Sequence, residues 1–451
     1  MKIDLKKTDI SVIVLGLLIL AVCLSPRFPL PFYIPSRTID IRAEDIMLLA
    51  LLFFWGRKIL RPHAHIYLTP IYKPFFLYIA VAASTTGIAL FLNPEAGHIL
   101  RTFLYFGKEL QFFVLFFLAA NIVNSDEHLE ILLKFFVGGV FINTLWLWIQ
   151  ILTRKYGPLF IVTIPEGAYH HPRRFSLYGP CLIGESGAFH VALFFAFASY
   201  LFYAFFFLAP RRPERKFFLA AGILSTIMSV MSGEKISLVL FAVGIVIIIS
   251  LQLSKKIMLK IAASGVAVVL ALQLLENILV KFISPAIARV FGFQAYYLAI
   301  QLNRLDIWKD FVQYISDNFW IGFGKGQILY PGYESIVFGE VHNSYLKMIM
   351  ETGIFGMIAF IMVLIIAASM CRAVLKHPNS TDLGRVTAAT AYAMLAGISV
   401  TALVQDAFKT IMPNEILWIF LGLTAAVYKI TTSRYNPPAE APEIYQGRTN
   451  N

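Results

Sequence analysis

The sequence predicts an all-α, polytopic membrane protein with about 12 transmembrane helices. Of its 451 residues, 58% are hydrophobic and only 14% are charged, and the mean hydropathy is +0.72. A soluble globular protein has about 45–50% apolar and about 25% charged residues. The apolar residues also come in blocks, many of them roughly 17 residues or longer, which is the length that crosses a bilayer core.

The first block follows a charged start but lacks a small-x-small cleavage pattern, so we interpret it as an uncleaved first span. The spans that follow are separated by short polar or basic loops. We predict spans at roughly 8–25, 41–56, 74–92, 100–122, 129–153, 186–209, 217–232, 235–252, 257–275, 345–371, 385–403 and 413–430.

The basic loops predict the orientation. The formal net charge is +12, which in a soluble protein would suggest nucleic acid as a partner. Here the basic residues cluster after even-numbered spans, for example at Arg57, Lys58 and Arg61, so the positive-inside rule puts both termini in the cytoplasm. Residues 1–430 then form the membrane domain, and residues 431–451 a disordered cytoplasmic tail. We expect membrane lipids and no nucleic acid as partners.

Two long loops face the opposite side of the membrane, at about 154–185 and 276–344. The second is the largest soluble piece of the chain. Its stretch NRLDIWKDFVQYI has Leu305, Trp308 and Ile315 at helical spacing, which predicts a helix lying on the membrane surface.

Several basic residues lie in these outer segments, where topology does not require them. Arg173 and Arg174 are in the first long loop, Arg304 is in the second, and Lys235 is in a short outer turn. Arginines bind phosphate oxygens bidentately and stay charged, so this group would suit a lipid-linked phosphate or pyrophosphate. Ordinary solvated loop charges or lipid-headgroup contacts are the alternative, and Lys235 is equally suited to snorkelling or to neutralising Glu234.

The stretch GEVHNSYLKMIMETGIFG begins the tenth span with polar residues. His342 precedes the apolar run and faces the basic loops, where a neutral imidazole can accept a proton from a sugar hydroxyl. Asn343 is suited either to hold a sugar hydroxyl or to cap the helix. Glu351 is an intramembrane carboxylate, which marks a functional candidate or pairs with a buried base. Gly353 and Gly356 would let a neighbouring helix approach closely.

Taken in order, these pieces resemble the O-antigen ligase and polymerase superfamily of bacterial envelope proteins. The resemblance rests on the motifs Arg304-Leu-Asp-Ile-Trp308, Gly322-Phe-Gly324, His342-Asn343-Ser-Tyr345-Leu346 and Glu351-x-Gly353-x-x-Gly356. The span layout, with a large outer loop before the motif helix, extends the likeness to most of the chain.

The resemblance implies a glycosyltransferase of the GT-C type in the bacterial inner membrane, without a cofactor or metal. A ligase would move a glycan from undecaprenyl pyrophosphate to lipid A-core on the periplasmic face, with inversion. His342 and Arg304 match the family's functional histidine and arginine. Arg173 or Arg174 resembles its earlier basic residue. Asn343 and Tyr345 belong to the same motif and are expected to contact substrate. Lys235 stands where the family often has an arginine.

Four alternatives stay open at this stage, one of which is a protein O-glycosyltransferase. A polysaccharide polymerase would use the same site with a lipid-linked glycan as acceptor. A metal-dependent variant would use Asp40, Glu44 and Asp45, although Arg37 and Arg42 are available to pair with these acids. A transporter of anions or lipid-linked sugars is the alternative from another class, but the charges gather at one face instead of lining a path.

Overall fold

The protein is nearly all helical in the computed structural model, which describes residues 9–24, 27–34, 37–61, 66–92, 99–153, 188–231, 236–251, 308–309, 312, 315–316, 318–326 and 342–435. Seven of the described helices are long and apolar enough to cross a membrane. The prediction of a multi-pass membrane protein is therefore confirmed. The described helices are α1 (Ile10–Leu24), α2 (Ala43–Ile59), α3 (Tyr72–Leu92), α4 (Ile99–Ile122), α5 (Asp126–Thr153), α6 (Ala188–Leu208), α7 (Arg215–Met231), α8 (Ile236–Ser250), α9 (Ser344–Lys376), α10 (Asp382–Thr401) and α11 (Ile411–Tyr435).

Each predicted span except one coincides with a described helix. The exception is 257–275, which lies outside the described residues. Helices α1, α2, α7 and α8 are shorter than the seven membrane-length helices. The final helix continues to Tyr435, past the end of the predicted span.

One short sheet departs from the predicted all-α class. Strands β1 (Arg27–Ile34) and β2 (Arg37–Arg42) pair antiparallel between α1 and α2. From Thr38 to Arg42 the sequence TIDIR alternates polar and apolar residues, which favours an extended strand. Pro29 and Pro31 are tolerated in β1 because a two-stranded sheet consists of edge strands.

Helices α6 and α11 form the centre of the bundle and are the most buried of the seven membrane-length helices. Helix α6 packs against α7, α8 and α10, while α11 packs against α4, α9 and α10. Helix α3 packs against α9 and leaves large apolar side chains such as Phe76 and Phe91 exposed. An apolar surface of this kind suits lipid.

The turn between α10 and α11, residues 402–410, lies against the first turn of α9. It contains a single 3₁₀ turn, Ala407–Lys409. The backbone amide of Ser344 donates to the carbonyl of Ala402 at 2.8 Å. Because this bond joins the start of α9 to the end of α10, the predicted site residues at the start of α9 sit beside this turn.

Candidate functional site

Helix α9 begins with a side-chain cap. Asn343 has extended backbone angles, and its Oδ1 accepts hydrogen bonds from the amides of Tyr345 at 3.0 Å and Leu346 at 3.1 Å. These bonds satisfy two amides that have no partner within the helix. The capping interpretation of Asn343 is thus confirmed, and a sugar contact by the same residue stays a prediction.

His342, directly before the cap, has an unusual backbone conformation. Its φ of 49° lies in the left-handed region, where non-glycine residues are uncommon. The side chain is half-buried, and its Nδ1 lies 3.2 Å from Oε1 of Gln405 in the turn 402–410. The imidazole is therefore held by a polar group from another element.

Ser344 fastens the turn 402–410 to α9. Its hydroxyl donates to the carbonyl of Gln405 at 3.0 Å and accepts from the amide of Phe408 at 3.3 Å. The side chain is almost fully buried, with 4% of the residue exposed. One hydroxyl thereby satisfies two backbone groups of the turn, and the backbone on both sides of Gln405 is fixed.

An ion pair lies one helical turn further along α9. Lys347 donates to Oδ2 of Asp406, and both side chains are mostly buried. A buried charge is costly unless it is paired, so this contact neutralises both groups. It also adds a second attachment between α9 and the turn 402–410.

Tyr345 connects α9 to α10. Its hydroxyl donates to the carbonyl of Ser399 at 3.0 Å, and its ring meets Phe408 edge-on with centroids 5.7 Å apart. These contacts give Tyr345 a packing role. Its predicted contact with substrate remains untested.

Gly353 breaks α9 instead of merely admitting a neighbouring helix. Its backbone angles are φ 66° and ψ −175°, so helical hydrogen bonding is interrupted there. The segment 318–326 fills the break. The amide of Phe323 donates to the carbonyl of Met350 at 2.6 Å, that of Gly324 to Glu351 at 3.0 Å, and that of Ile354 to Phe319 at 2.9 Å. The expected close approach at Gly353 is therefore present, but the neighbour is the segment 318–326 and not a helix packed along α9.

Lys325 enters the bundle on this segment and is 3% exposed. Its Nζ lies 2.8 Å from Oε2 of Glu109 on α4 and 3.3 Å from Oε2 of Glu351 on α9. It also donates to the hydroxyl of Tyr78 on α3 at 2.8 Å, and that hydroxyl in turn contacts Glu109. By sequence Lys325 falls within the predicted outer loop 276–344, but the structure buries it as the base that pairs with Glu351.

A small cavity adjoins both ion pairs. Its volume is about 20 Å³, close to that needed for one water molecule. The cavity is lined by Glu109, Lys325, Ser344, Lys347, Met348, Glu351 and Phe408.

The acids considered for a metal are engaged in other contacts. Oδ1 of Asp45 accepts from Lys108 at 2.8 Å and from Gln111 at 2.9 Å, and Glu44 pairs with Arg42 at 3.5 Å. Lys108 also reaches Glu415 on α11 at 3.3 Å. Across the described residues, no group of three or more His, Cys, Asp or Glu side chains is arranged to hold a metal ion. The Asp40 side chain lies outside the described residues.

The other predicted site residues are also outside the described part of the chain. These are Arg173, Arg174, Lys235 and Arg304. Trp308, just after Arg304, is described as helical and packs against the pair Ile315 and Met350. The chain that follows Arg304 is thus anchored on the same helix that carries the His342 site.

Comparison with known families identifies the segment that carries this geometry. Residues 220–361 match the family model described as O-antigen ligase. This segment is therefore similar to the O-antigen ligase family. The match runs from α7 into α9, so the O-antigen ligase segment includes His342, Lys325 and Gly353, while the turn 402–410 lies beyond it. No curated protein matches the chain significantly.

Sequence reasoning missed Gln405 and the ion-pair partners. Lys347 and Asp406 could have been found, because a charged residue in or beside a predicted span is costly to bury and indicates a partner or a function. Gln405 could not have been found in this way, since a glutamine in a short turn is common. Its importance depends on its position beside His342.

Proposed function

We propose that the protein is an O-antigen ligase-type glycosyltransferase. It moves a glycan from undecaprenyl pyrophosphate to lipid A-core on the periplasmic face of the bacterial inner membrane. The observation that carries the proposal is the position of His342. It lies in the O-antigen ligase segment, directly before the first turn of a membrane-length helix, and Gln405 contacts its imidazole. An imidazole at that position is suited to take a proton from an acceptor hydroxyl.

The backbone of His342 supports a role beyond packing. A non-glycine residue in the left-handed region costs on the order of 1–3 kcal/mol, and such residues cluster at active sites. Asn343 caps the helix immediately after it, so the strained residue stands at a rigid helix end. Rigid placement of a base beside the reacting hydroxyl is a large part of catalysis.

In the proposed reaction, His342 accepts the proton of the acceptor hydroxyl as its oxygen attacks the anomeric carbon. The pyrophosphate leaves from the opposite side, so the anomeric configuration inverts. Arg304, Arg173 and Arg174, with Lys235, bind the pyrophosphate and stabilise its developing charge without a metal. Asn343 and Tyr345 lie close enough in sequence to His342 to contact the acceptor.

The contacts of Trp308 and Ile315 with α9 support a site that includes both Arg304 and His342. Trp308 and Ile315 pack beside Met350, which is eight residues along α9 from His342, or roughly 12 Å of helix. This contact places the chain that follows Arg304 against the helix that His342 precedes.

A reconstituted transfer assay tests the proposal. The full chain in liposomes receives undecaprenyl-pyrophosphate glycan and lipid A-core in the presence of EDTA. We expect transfer by the wild type, and a loss of about 100-fold or more in His342→Ala, the range for removal of a general base. Arg304→Ala should be similarly impaired. His377→Ala, at the opposite end of α9, is the matched histidine control and should be fully active.

Three outcomes would revise the proposal. Full transfer by His342→Ala would remove the proposed base. Lengthening of the lipid-linked glycan with no use of lipid A-core would identify a polymerase with the same site. Loss of wild-type activity in EDTA, restored by a divalent cation, would contradict metal independence.

A further inference from the structure

Gln405 contacts His342 across 63 residues of sequence. Its Oε1 lies 3.2 Å from Nδ1 of the imidazole. Gln405 belongs to the turn 402–410, whereas His342 precedes α9, and the turn lies outside the segment that matches the family model. The contact is therefore a product of the tertiary structure.

The backbone around Gln405 is rigidly attached to the start of α9. Ser344 binds the carbonyl of Gln405 and the amide of Phe408, and its own amide binds Ala402. Asp406 is paired with Lys347. These attachments join the turn to the same helical turn that follows His342, so the backbone of Gln405 is fixed relative to the start of α9.

The chemistry of the contact favours one tautomer of His342. A side-chain amide oxygen has no proton and only accepts, so the contact is a hydrogen bond when the neutral ring carries its proton on Nδ1. The other nitrogen, Nε2, is then the basic one. When Nε2 takes a proton the ring becomes a cation, and the bond from Nδ1 to Gln405 strengthens because its donor is charged.

We infer that Gln405 is a positioning residue that holds His342 in the Nδ1-protonated tautomer, with Nε2 directed to the acceptor hydroxyl. This inference rests on the proposed function. In the step, the hydroxyl O–H bond breaks, its proton moves to Nε2, and its oxygen bonds to the anomeric carbon. The bond from that carbon to the pyrophosphate breaks, and the pyrophosphate leaves with the electron pair.

The charged groups on the elements packed here are already paired with one another. Lys347 pairs with Asp406, and Lys325 pairs with Glu109 and Glu351. A substitution at Gln405 removes none of these partners, because Gln405 belongs to neither set of ion pairs. Its effect on the pH dependence of transfer would therefore report on the contact with His342.

Two substitutions separate the acceptor function of Gln405 from its bulk. Gln405→Leu removes the acceptor at similar size and should lower kcat about tenfold or more, with KM nearly unchanged. Gln405→Glu keeps an acceptor and should retain transfer. Its carboxylate stabilises the protonated ring, so the rising limb of the pH–rate profile should move to higher pH. Leu403→Ala, an exposed residue of the same turn, is the control and should match the wild type.

A double-mutant cycle tests whether Gln405 acts through His342. In the His342→Ala background, Gln405→Leu should have no further effect on kcat. Additive losses in the cycle, or an unmoved pH profile in Gln405→Glu, would overturn the inference.

A spectroscopic measurement is independent of activity. In ¹⁵N-histidine NMR of the reconstituted full chain, the His342 signals are assigned by their loss in His342→Ala. We expect the Nδ1-protonated tautomer in the wild type and a mixture in Gln405→Leu. An Nε2-protonated wild-type ring would overturn the inference. Full transfer by His342→Ala with the expected tautomer would instead overturn only the catalytic proposal.

Discussion

Gly322 and Gly353 lie against each other where α9 is broken. Both have positive φ angles, 75° and 66°, and a Cβ added to Gly322 would come within 2.6 Å of the amide nitrogen of Gly353. A Cβ added to Gly353 would collide with the carbonyl oxygen of Trp320. The two glycines thus allow the segment 318–326 to bond directly to the open turn of α9 and to deliver Lys325 into the bundle.

Gly353→Ala should destabilise the protein by about 2–4 kcal/mol. The substitution combines an unfavourable φ with a collision against the backbone of Trp320, which has no side-chain freedom to yield. Thermal unfolding in detergent measures the effect. Gly87→Ala on α3, where an added Cβ meets nothing within 4 Å, is the control and should be neutral or stabilising by up to about 1 kcal/mol. Equal stability of the two variants would contradict the described break in α9.

Lys325→Met should cost about 3–5 kcal/mol, because it leaves Glu109 and Glu351 without their shared cation in a buried site. Adding Glu109→Gln and Glu351→Gln should recover part of the loss by removing the uncompensated charges. The control is Lys134→Met, which breaks a partly exposed pair with Glu130 within α5 and should cost less than about 1 kcal/mol. No recovery in the triple variant would show that charge pairing is not the cause.

Tyr345→Phe should lower stability by about 0.5–1.5 kcal/mol, since it removes the hydrogen bond to the carbonyl of Ser399 while keeping the ring against Phe408. If the role of Tyr345 is to join α9 to α10, the KM for the acceptor should be unchanged in the transfer assay. A large rise in KM with unchanged stability would favour the direct substrate contact suggested by the sequence.

Asn343→Ala should cost about 0.5–2 kcal/mol, because the amides of Tyr345 and Leu346 lose their acceptor. Asn343→Asp keeps a side-chain oxygen at the cap and should retain stability. The transfer activity of Asn343→Asp then tests whether Asn343 also contacts substrate. A stable variant with impaired transfer would indicate that the amide nitrogen of Asn343 also contacts a sugar, as the sequence suggested.

The start of α9 shows how far sequence reasoning reached into the site. The polar residues His342 and Asn343 before an apolar run predicted both the helix start and the functional candidate. The cap required only local spacing, because its donors are the amides two and three residues later. Gln405 was out of reach, since its contact with His342 depends on how the α10–α11 turn folds back on α9.

Lys325 and Gly353 show the opposite case, in which a sequence pattern was assigned to the wrong environment. Gly322, Gly324 and Gly326 come at every second position within the predicted outer loop 276–344, and Lys325 lies among them. In the structure the loop's amides bond to carbonyls of α9, and Lys325 is surrounded by Tyr78, Glu109 and Glu351. Tyr78 and Glu109 lie 247 and 216 residues from Lys325 along the chain, so the sequence gave no indication of these pairings.

The sequence by itself determined that this is a helical membrane protein, where nearly all of its described helices lie, and which superfamily motif it carries. Those properties follow from local hydrophobicity and spacing, because a bilayer requires long apolar segments whose backbone bonds are internal. Only the tertiary structure decided the break in α9, the burial of Lys325 and the contact between Gln405 and His342. Each depends on charges and backbone groups from distant segments that must find partners once they are removed from water.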